Sequence, residues 1–510
     1  MKKHTVTKLL APVGIAGLLL TGCSGTSQNP DGDTPSAVSD TLRVNWGGFP
    51  ASWEPGSQAM EPGYMRVPYE TLVLRQKDGT ILPNLATAWE FGEGTKSLTL
   101  TLRDDVTFHD GTPFDAAAVK ANVEYVRDVV GGQFGGPLHA ITAIDVVDDT
   151  TVNFTFSRPF STFLDLLSQR NLPMGSPAAI ADGSIKSAPV GTGPWAYDAS
   201  ASITGTKMVF TAFADYWGDK PGFPNIELYA IADPTAAAAA VISGDVDVSD
   251  VEEEVLPTLD AAANVDTFNY PAIRNNVVFF DRGEGGVFAD VKARQAFCYA
   301  FDAQSAADLT GGQTATQHFI EGEFGYNPDI TGYETNIDKA KALWAELGNP
   351  TVNVDWPAAP FNKQEITVRA ENANQLPNVN VTVQELSVPQ FVSTWNSGQY
   401  PLGIGNHPQI TPADWYGSWF SDTAPSNPSK TVSDELKALA TDAQRAGSSP
   451  DAEQKWQAVL AEISDEALSC SHAIGVEQIA YNSDHVTDVQ PAIQVWEQKL
   501  VDLKAIKPAN

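Results

Sequence analysis

The sequence is short of the residues that most often carry covalent or metal chemistry. It has three cysteines and seven histidines in 510 residues, the histidines mostly isolated and without H-x-x-x-H spacing. That sparseness excludes a disulfide-dense scaffold and supplies no zinc-type ligand set. No G-x-S-x-G, Walker loop or H-E-x-x-H occurs, so the common hydrolase, nucleotide and metalloprotease signatures are missing. Basic residues are scarce too: 31 Lys and Arg stand against 63 Asp and Glu, a formal charge of −32. Nucleic-acid phosphates demand the opposite sign; the acidity is mainly a solubility signal. No apolar run reaches bilayer-spanning length.

What is present begins at the N-terminus. Lys2, Lys3 and Lys8 precede a run from Leu9 to Leu20 broken only by Pro12 and small residues. This is the layout of a secretory signal peptide over residues 1–22, too short to span. Leu20-Thr21-Gly22-Cys23 reads as a bacterial lipobox, in which the Cys23 sulfur takes a diacylglyceryl group and cleavage leaves it as residue one. Two or three acyl chains hold a protein firmly at about 0.8 kcal/mol per buried methylene. Residues 23–40 are small and polar with Gly and Pro, a composition that cannot offset ordering entropy. They form a tether whose flexible length is roughly 20–25 Å. Removing residues 1–22 takes away three lysines and no acid, leaving a formal charge of −35.

About 470 residues remain, too many for one core, so two lobes or more are expected. With 42% hydrophobic and 18% charged residues the body is that of a folded soluble protein. Cys298 and Cys470 are left for an oxidising compartment, either as a bridge or as two buried thiols.

Helix and strand signals alternate along the body. Asp115 is an N-cap followed by Val119, Val123 and Val126 on one face, with Gly131-Gly132 ending the helix. Thr235 is expected to cap an alanine-rich helix stopped by Gly244, and Asp245–Val248 to form a half-buried strand. Asp290 opens an amphipathic helix with Val291, Arg294, Phe297 and Phe301, and another runs from Ile337 to Leu347. The stretch 351–405 reads strand (351–356), helix (363–373), strand (379–386), helix (389–397), strand (402–404). That order predicts a parallel sheet with right-handed crossovers. Ligands of such sheets bind at the carboxyl ends of the strands, here after Trp356, Leu386 and Gly405.

Several blocks then read together. Tyr69-Glu70-Thr71-Leu72-Val73, Asp78-Gly79, Pro83-Asn84-Leu85-Ala86 and Trp89-Glu90 lead into LTLTLRDDVTFHDGTPFDAAAVK at 98–120. Further on stand Pro189-Val190-Gly191-Thr192-Gly193-Pro194-Trp195, then Asp215-Tyr216-Trp217-Gly218 with Pro221, and the helix before Gly244-Asp245-Val246-Asp247. Phe288-Ala289-Asp290 with Arg294-Gln295-Ala296 and the Ile337–Gly348 helix complete the series. In order and over roughly 41–480, this resembles extracytoplasmic solute-binding protein family 5, the peptide, nickel and oligosaccharide binders of ABC importers. The resemblance implies an α/β, two-lobed periplasmic-binding-protein-like fold of type II, hinged, its first lobe enlarged by an inserted subdomain. Lobe I is placed at 41–272 with the subdomain near 70–190, lobe II at 273–474, and a return to lobe I at 475–510. His109 beside Asp110 is read as a structural histidine in a tight turn.

The departure from the peptide-binding pattern concerns the ligand. Those members carry a W-x-x-D-Y-x-D-P-like segment whose aspartate pairs with the ligand's α-ammonium; here Gly405–Trp415 puts Asn406 or His407 at that position, and Asp414 several residues later. Asn406 with Trp395, Trp415, Tyr416 and Trp419 suits a polar uncharged molecule, because aromatic faces stack and amides hydrogen-bond. Trp46, Phe49, Ser52 and Trp53 follow the first strand, and Tyr69 opens the first motif. Arg274 and Asn276 sit where the chain crosses between lobes, Arg274 facing a ligand carboxylate or a surface acid. The candidate ligand-binding set is therefore Trp46, Phe49, Tyr69, Arg274, Asn276, Trp395, Asn406, His407, Asp414, Trp415 and Trp419, with Cys23 lipidated.

The expected function is that of a lipid-anchored, monomeric, non-catalytic subunit on the outer face of the cell membrane. It would capture a peptide, oligosaccharide or related polar solute and deliver it to an ABC permease, with no cofactor, metal or nucleic acid. The alternatives are a secreted lipoprotein hydrolase working on oligosaccharides through two carboxylates, and a surface lipoprotein with an adhesion role.

Overall fold

The computed structural model describes residues 39–509 apart from 58–61, 132–134, 170–171, 310–311, 361, 388–389, 392–393, 395–397, 408–410, 425, 448 and 493–500. The side chains of Pro62, 270–276 and 406–407 are also outside the description. The signal peptide, Cys23, most of the tether and Trp395 therefore lie outside the described residues, as does most of the expected 389–397 helix.

The chain enters through Thr41–Asn45, whose alternation buries Leu42 and Val44. This strand pairs in parallel with Asn225–Tyr229 on one side and Val248–Val251 on the other. Lys207–Ala212 and Trp195–Tyr197 extend the sheet antiparallel beyond Asn225–Tyr229. Between Thr41–Asn45 and these strands the chain leaves to build a separate antiparallel sheet in the order Ala86–Phe91, Ser97–Leu102, Thr151–Phe156, Ile141–Asp148. The Ala116–Tyr125 helix covers it, with Asp115 accepting from the Ala118 amide at 2.8 Å and Val119, Val123 and Val126 buried. Residues from Leu72 to Met174 make a core of their own here, distinct from the one around Leu42, Trp195 and Phe210.

Two long strands continue the large sheet. Val265–Phe280 and Ser469–Asn482 run antiparallel, Val265 opposite Asn482 and Phe279 opposite Ser469. Val265 and Ala480 belong to an apolar cluster with Val241 and Leu259, whereas Val278 and Cys470 belong to another with Phe297 and Trp344. Each strand thus starts in one core and ends in another. Leu402–His407 pairs with Val265–Phe280 at the sheet edge, and Gln313–Ala315 pairs with Ser469–Asn482.

Three expectations change. Val352–Ala358 and Val379–Glu385 do pair in parallel around the Lys363–Ala373 helix. The third strand, Leu402–His407, does not join them; it lies antiparallel against Val265–Phe280, where Leu402 is opposite Phe280. The long strand offers an apolar edge that no local pattern announces. The alanine-rich helix Pro234–Ser243 is capped by Asp233, not Thr235, because its carboxylate reaches the Ala236 amide at 2.8 Å and Pro234 takes the first helical position. The next strand begins at Val248, because Asp247 is spent on the Arg43 amide at 2.7 Å and on His485 Nδ1 at 3.0 Å.

In the second half, Cys298 and Cys470 form a disulfide between the Val291–Ala300 helix and the strand Ser469–Asn482, with Cα atoms 5.7 Å apart. Beside it Arg369, fully buried, pairs with Glu365 at 2.8 Å and donates to the Ser471 carbonyl at 3.1 Å. Ser471 has φ +56, a left-handed residue inside the strand, so this buried pair pins an irregular stretch of backbone. Among the described residues no helix is long and apolar enough to cross a membrane.

Candidate ligand site

Four of the sequence blocks that carry the family resemblance, those at 69–73, 98–120, 189–195 and 215–218, converge on one knot in the first half. Glu70 accepts from Trp217 Nε1 at 2.6 Å, Tyr216 Oη at 2.8 Å and Thr192 Oγ1 at 3.3 Å. Burial pushes its carboxyl up to about 7 against those hydrogen bonds and the Lys504 charge. His109 donates to the same loop from the other side: its ring Nε2 lies 2.9 Å from the Gly193 carbonyl, and its amide donates to the Gly191 carbonyl at 2.9 Å. Burial lowers this imidazole to about 4, so it is neutral and structural. A Cβ on Gly191 would stand 2.0 Å from the Pro68 carbonyl oxygen, and one on Gly193 2.6 Å from the Pro68 carbonyl carbon. These glycines exist so that two backbones can touch.

The N-terminal members of the candidate set pack into the core around Leu42, Trp195 and Phe210. Trp46 and Trp53 are buried, the latter edge-on to Phe210 at 5.8 Å. Phe49 is half-buried, its ring 6.4 Å from Tyr64. Tyr69 is buried and its hydroxyl donates to the Trp53 carbonyl at 2.9 Å, so it packs the first core instead of facing open space.

In the second half, Trp415 and Trp419 lie on the Pro412–Trp419 helix and are also largely inside. Trp419 stacks on Phe279 at 3.8 Å and Trp415 on His318 at 3.9 Å. Trp415 lines a small hollow with Gln317, His318, Ser469 and His472, large enough for about one water. His472 Nδ1 is buried there without a hydrogen-bond partner among the described residues. Burial, with His318 and Arg369 nearby, lowers this imidazole to about 3, leaving a neutral acceptor. Asp414, on the same helix, has its carboxylate on Thr411 Oγ1 at 2.8 Å. Burial and the neighbouring Asp165 raise it to about 6, while the Thr411 bond and Arg75 oppose the shift.

The central members are brought together by register. Asn276 lies opposite Asn406 on one side and Ala473 on the other; Asn275 lies opposite His407 and Ile474. These pairs are about 130 and 200 positions apart in sequence, and they meet where the long strands pass from one core to the other. Reading the sequence missed Glu70, Arg369 and His472. Only the Glu365–Arg369 spacing of four on a helix carried a legible signal.

A family profile described as bacterial extracellular solute-binding proteins, family 5 Middle, matches residues 80–428. The chain belongs to this family. The probable D,D-dipeptide-binding periplasmic protein DdpA of Escherichia coli (strain K12) is 26% identical over 359 residues, covering 66% of this chain and 68% of that protein. The nickel-binding periplasmic protein of the same strain is 35% identical over 195 residues, 37% of each chain. In fold, HbpA2 from Haemophilus parasuis superposes with a TM-score of 0.81 at 20% identity, over 92% of this chain and 100% of that one. The fold is therefore the two-lobed α/β fold of family 5 binding proteins, and the two curated relatives are periplasmic binding proteins. Among the described residues no group of three or more His, Cys, Asp or Glu side chains could hold a metal ion.

Proposed function

We propose that the protein is the lipid-anchored, monomeric solute-binding subunit of an ABC importer, without catalysis of its own. Lobe I would comprise 41–272 with its inserted subdomain near 70–190, lobe II 273–474, and 475–510 a return to lobe I. The carrying observation is the double crossing of Val265–Phe280 and Ser469–Asn482 between separate apolar cores, in a chain of this family. Such a pair of strands lets two rigid bodies close on a ligand while their cores stay intact. Small-angle scattering with and without ligand tests this: compaction without turnover is expected, and turnover of a bound oligosaccharide would overturn it.

The ligand is a polar solute whose recognition does not need a free α-ammonium group, held near Asn276 and Asn406. The support is that Asp414 is already engaged by Thr411. A micromolar ligand corresponds to about −8 kcal/mol, which stacking and several satisfied hydrogen bonds supply. Thermal shift against free peptides, N-acetylated peptides and oligosaccharides decides it. Stabilisation by free peptides that vanishes on N-acetylation and in Asp414→Asn would refute the reading. For the anchor, Cys23→Ala is expected to release the protein from membranes with binding intact; a variant still bound after a high-salt wash would refute it.

A further inference from the structure

The inserted four-stranded unit touches the second half of the chain through a hairpin at its edge. Val73–Arg75 and Ile81–Pro83 form a β-hairpin, Arg75 opposite Ile81, with Gly79 at φ +88 in its turn. The hairpin meets the loop around Phe324, which packs on the core of Trp415, Phe279 and Leu460. The Phe324 amide donates to the Lys77 carbonyl at 3.2 Å. Gly79 lies so close that a Cβ there would be 2.8 Å from Phe324 Cβ.

Charges reinforce the contact from both sides. Lys77 Nζ lies 3.8 Å from Glu323, and the Arg75 guanidinium sits 5.5 Å from the Phe324 ring centroid. Arg75 is itself held by an ion pair with Asp165, so the cation under the ring is fixed from within the four-stranded unit. A second touch lies along the same junction, where Ser161 Oγ donates to the Gln444 carbonyl at 3.2 Å. These bonds join two bodies with separate cores.

We propose that the Val73–Pro83 hairpin is a clasp that closes on Phe324 and sets how much of the ligand-free protein is closed. The inference rests on the two-lobe reading above but not on the ligand's identity. A ligand's apparent affinity scales with the fraction of protein already competent to hold it. The clasp therefore tunes affinity without touching the solute, and a tenfold change in its equilibrium carries through as up to tenfold in apparent affinity.

The test uses the full ligand-free chain, so it succeeds or fails whatever the solute proves to be. Hydrogen exchange followed by mass spectrometry reads the amides of 320–326 directly. In Phe324→Ala exchange across this segment is expected to rise at least tenfold, with an increased radius of gyration and unchanged protection of Val352–Ala358. If Phe324→Ala loosens the whole second lobe, Gly79→Val decides, since it wedges the contact from the hairpin side and leaves that lobe's core untouched. Unchanged exchange at 320–326 in Gly79→Val, or no protection there in the wild type, would overturn the clasp.

Discussion

Trp217 Nε1 donates to Glu70 at 2.6 Å across 147 positions of sequence, and that one bond ties together two blocks that look unrelated on the page. Tyr216 and Thr192 close on the same carboxylate. Three of the recognisable stretches of this chain therefore meet on one buried carboxylate.

Glu70 makes stability depend on pH. Its carboxyl is raised from the ordinary range to about 7, chiefly by burial. A raised folded-state value means the contribution is complete below the unfolded pKa near 4.5 and is lost as pH rises through about 7. The difference is at most about 3 kcal/mol. Melting temperature is expected to fall between pH 5 and pH 8 in the wild type and to fall less in Glu70→Gln. Equal slopes in the two proteins would contradict it.

His472 acts in the opposite direction. Burial, then His318 and Arg369, lower its imidazole to about 3, so its contribution is present above the unfolded value near 6.5 and is lost as pH falls toward the folded one. Urea midpoints are expected to drop between pH 6.5 and pH 4, and His472→Gln to flatten that drop. His109, lowered to about 4 by burial, adds to the same acid limb.

Gly193→Ala places a methyl 2.6 Å from the Pro68 carbonyl carbon, with the Val67 carbonyl oxygen at 2.7 Å. Backbone cannot yield as a flexible side chain does, so a loss of roughly 3 kcal/mol is expected, at the upper end for overpacking. Chemical denaturation measures it directly; a variant within 0.5 kcal/mol of wild type, about the ordinary surface scatter, would show that the loop moves freely.

Cys298 and Cys470 are separated by 172 positions. Closing a loop of that length stabilises by about 5 kcal/mol in the chain-entropy account. The double substitution Cys298→Ala, Cys470→Ala is expected to lower the urea midpoint clearly while leaving the first-lobe knot protected from exchange. An unchanged midpoint would mean that the loop is held closed by packing alone.

Local signals carried much of the secondary structure. Asp115 and Asp290 cap their helices because a short carboxylate reaches a free amide two or three residues on. Gly244 ends the alanine-rich helix because φ +77 costs it nothing. The family was legible for the same reason, since its glycines and aromatics serve turns and knots with fixed local spacing. What only the tertiary structure decided depends on partners that local sequence does not name. Leu402–His407 looks like the third strand of a parallel unit, yet it pairs with Val265–Phe280 because backbone groups at a sheet edge take whichever apolar partner the packed cores present. Trp419 and Tyr69 read as ligand-facing aromatics, yet packing puts one flat on Phe279 and spends the hydroxyl of the other on Trp53. An aromatic side chain states in sequence that it will be buried or stacked; which surface it meets is set only when the lobes close around it.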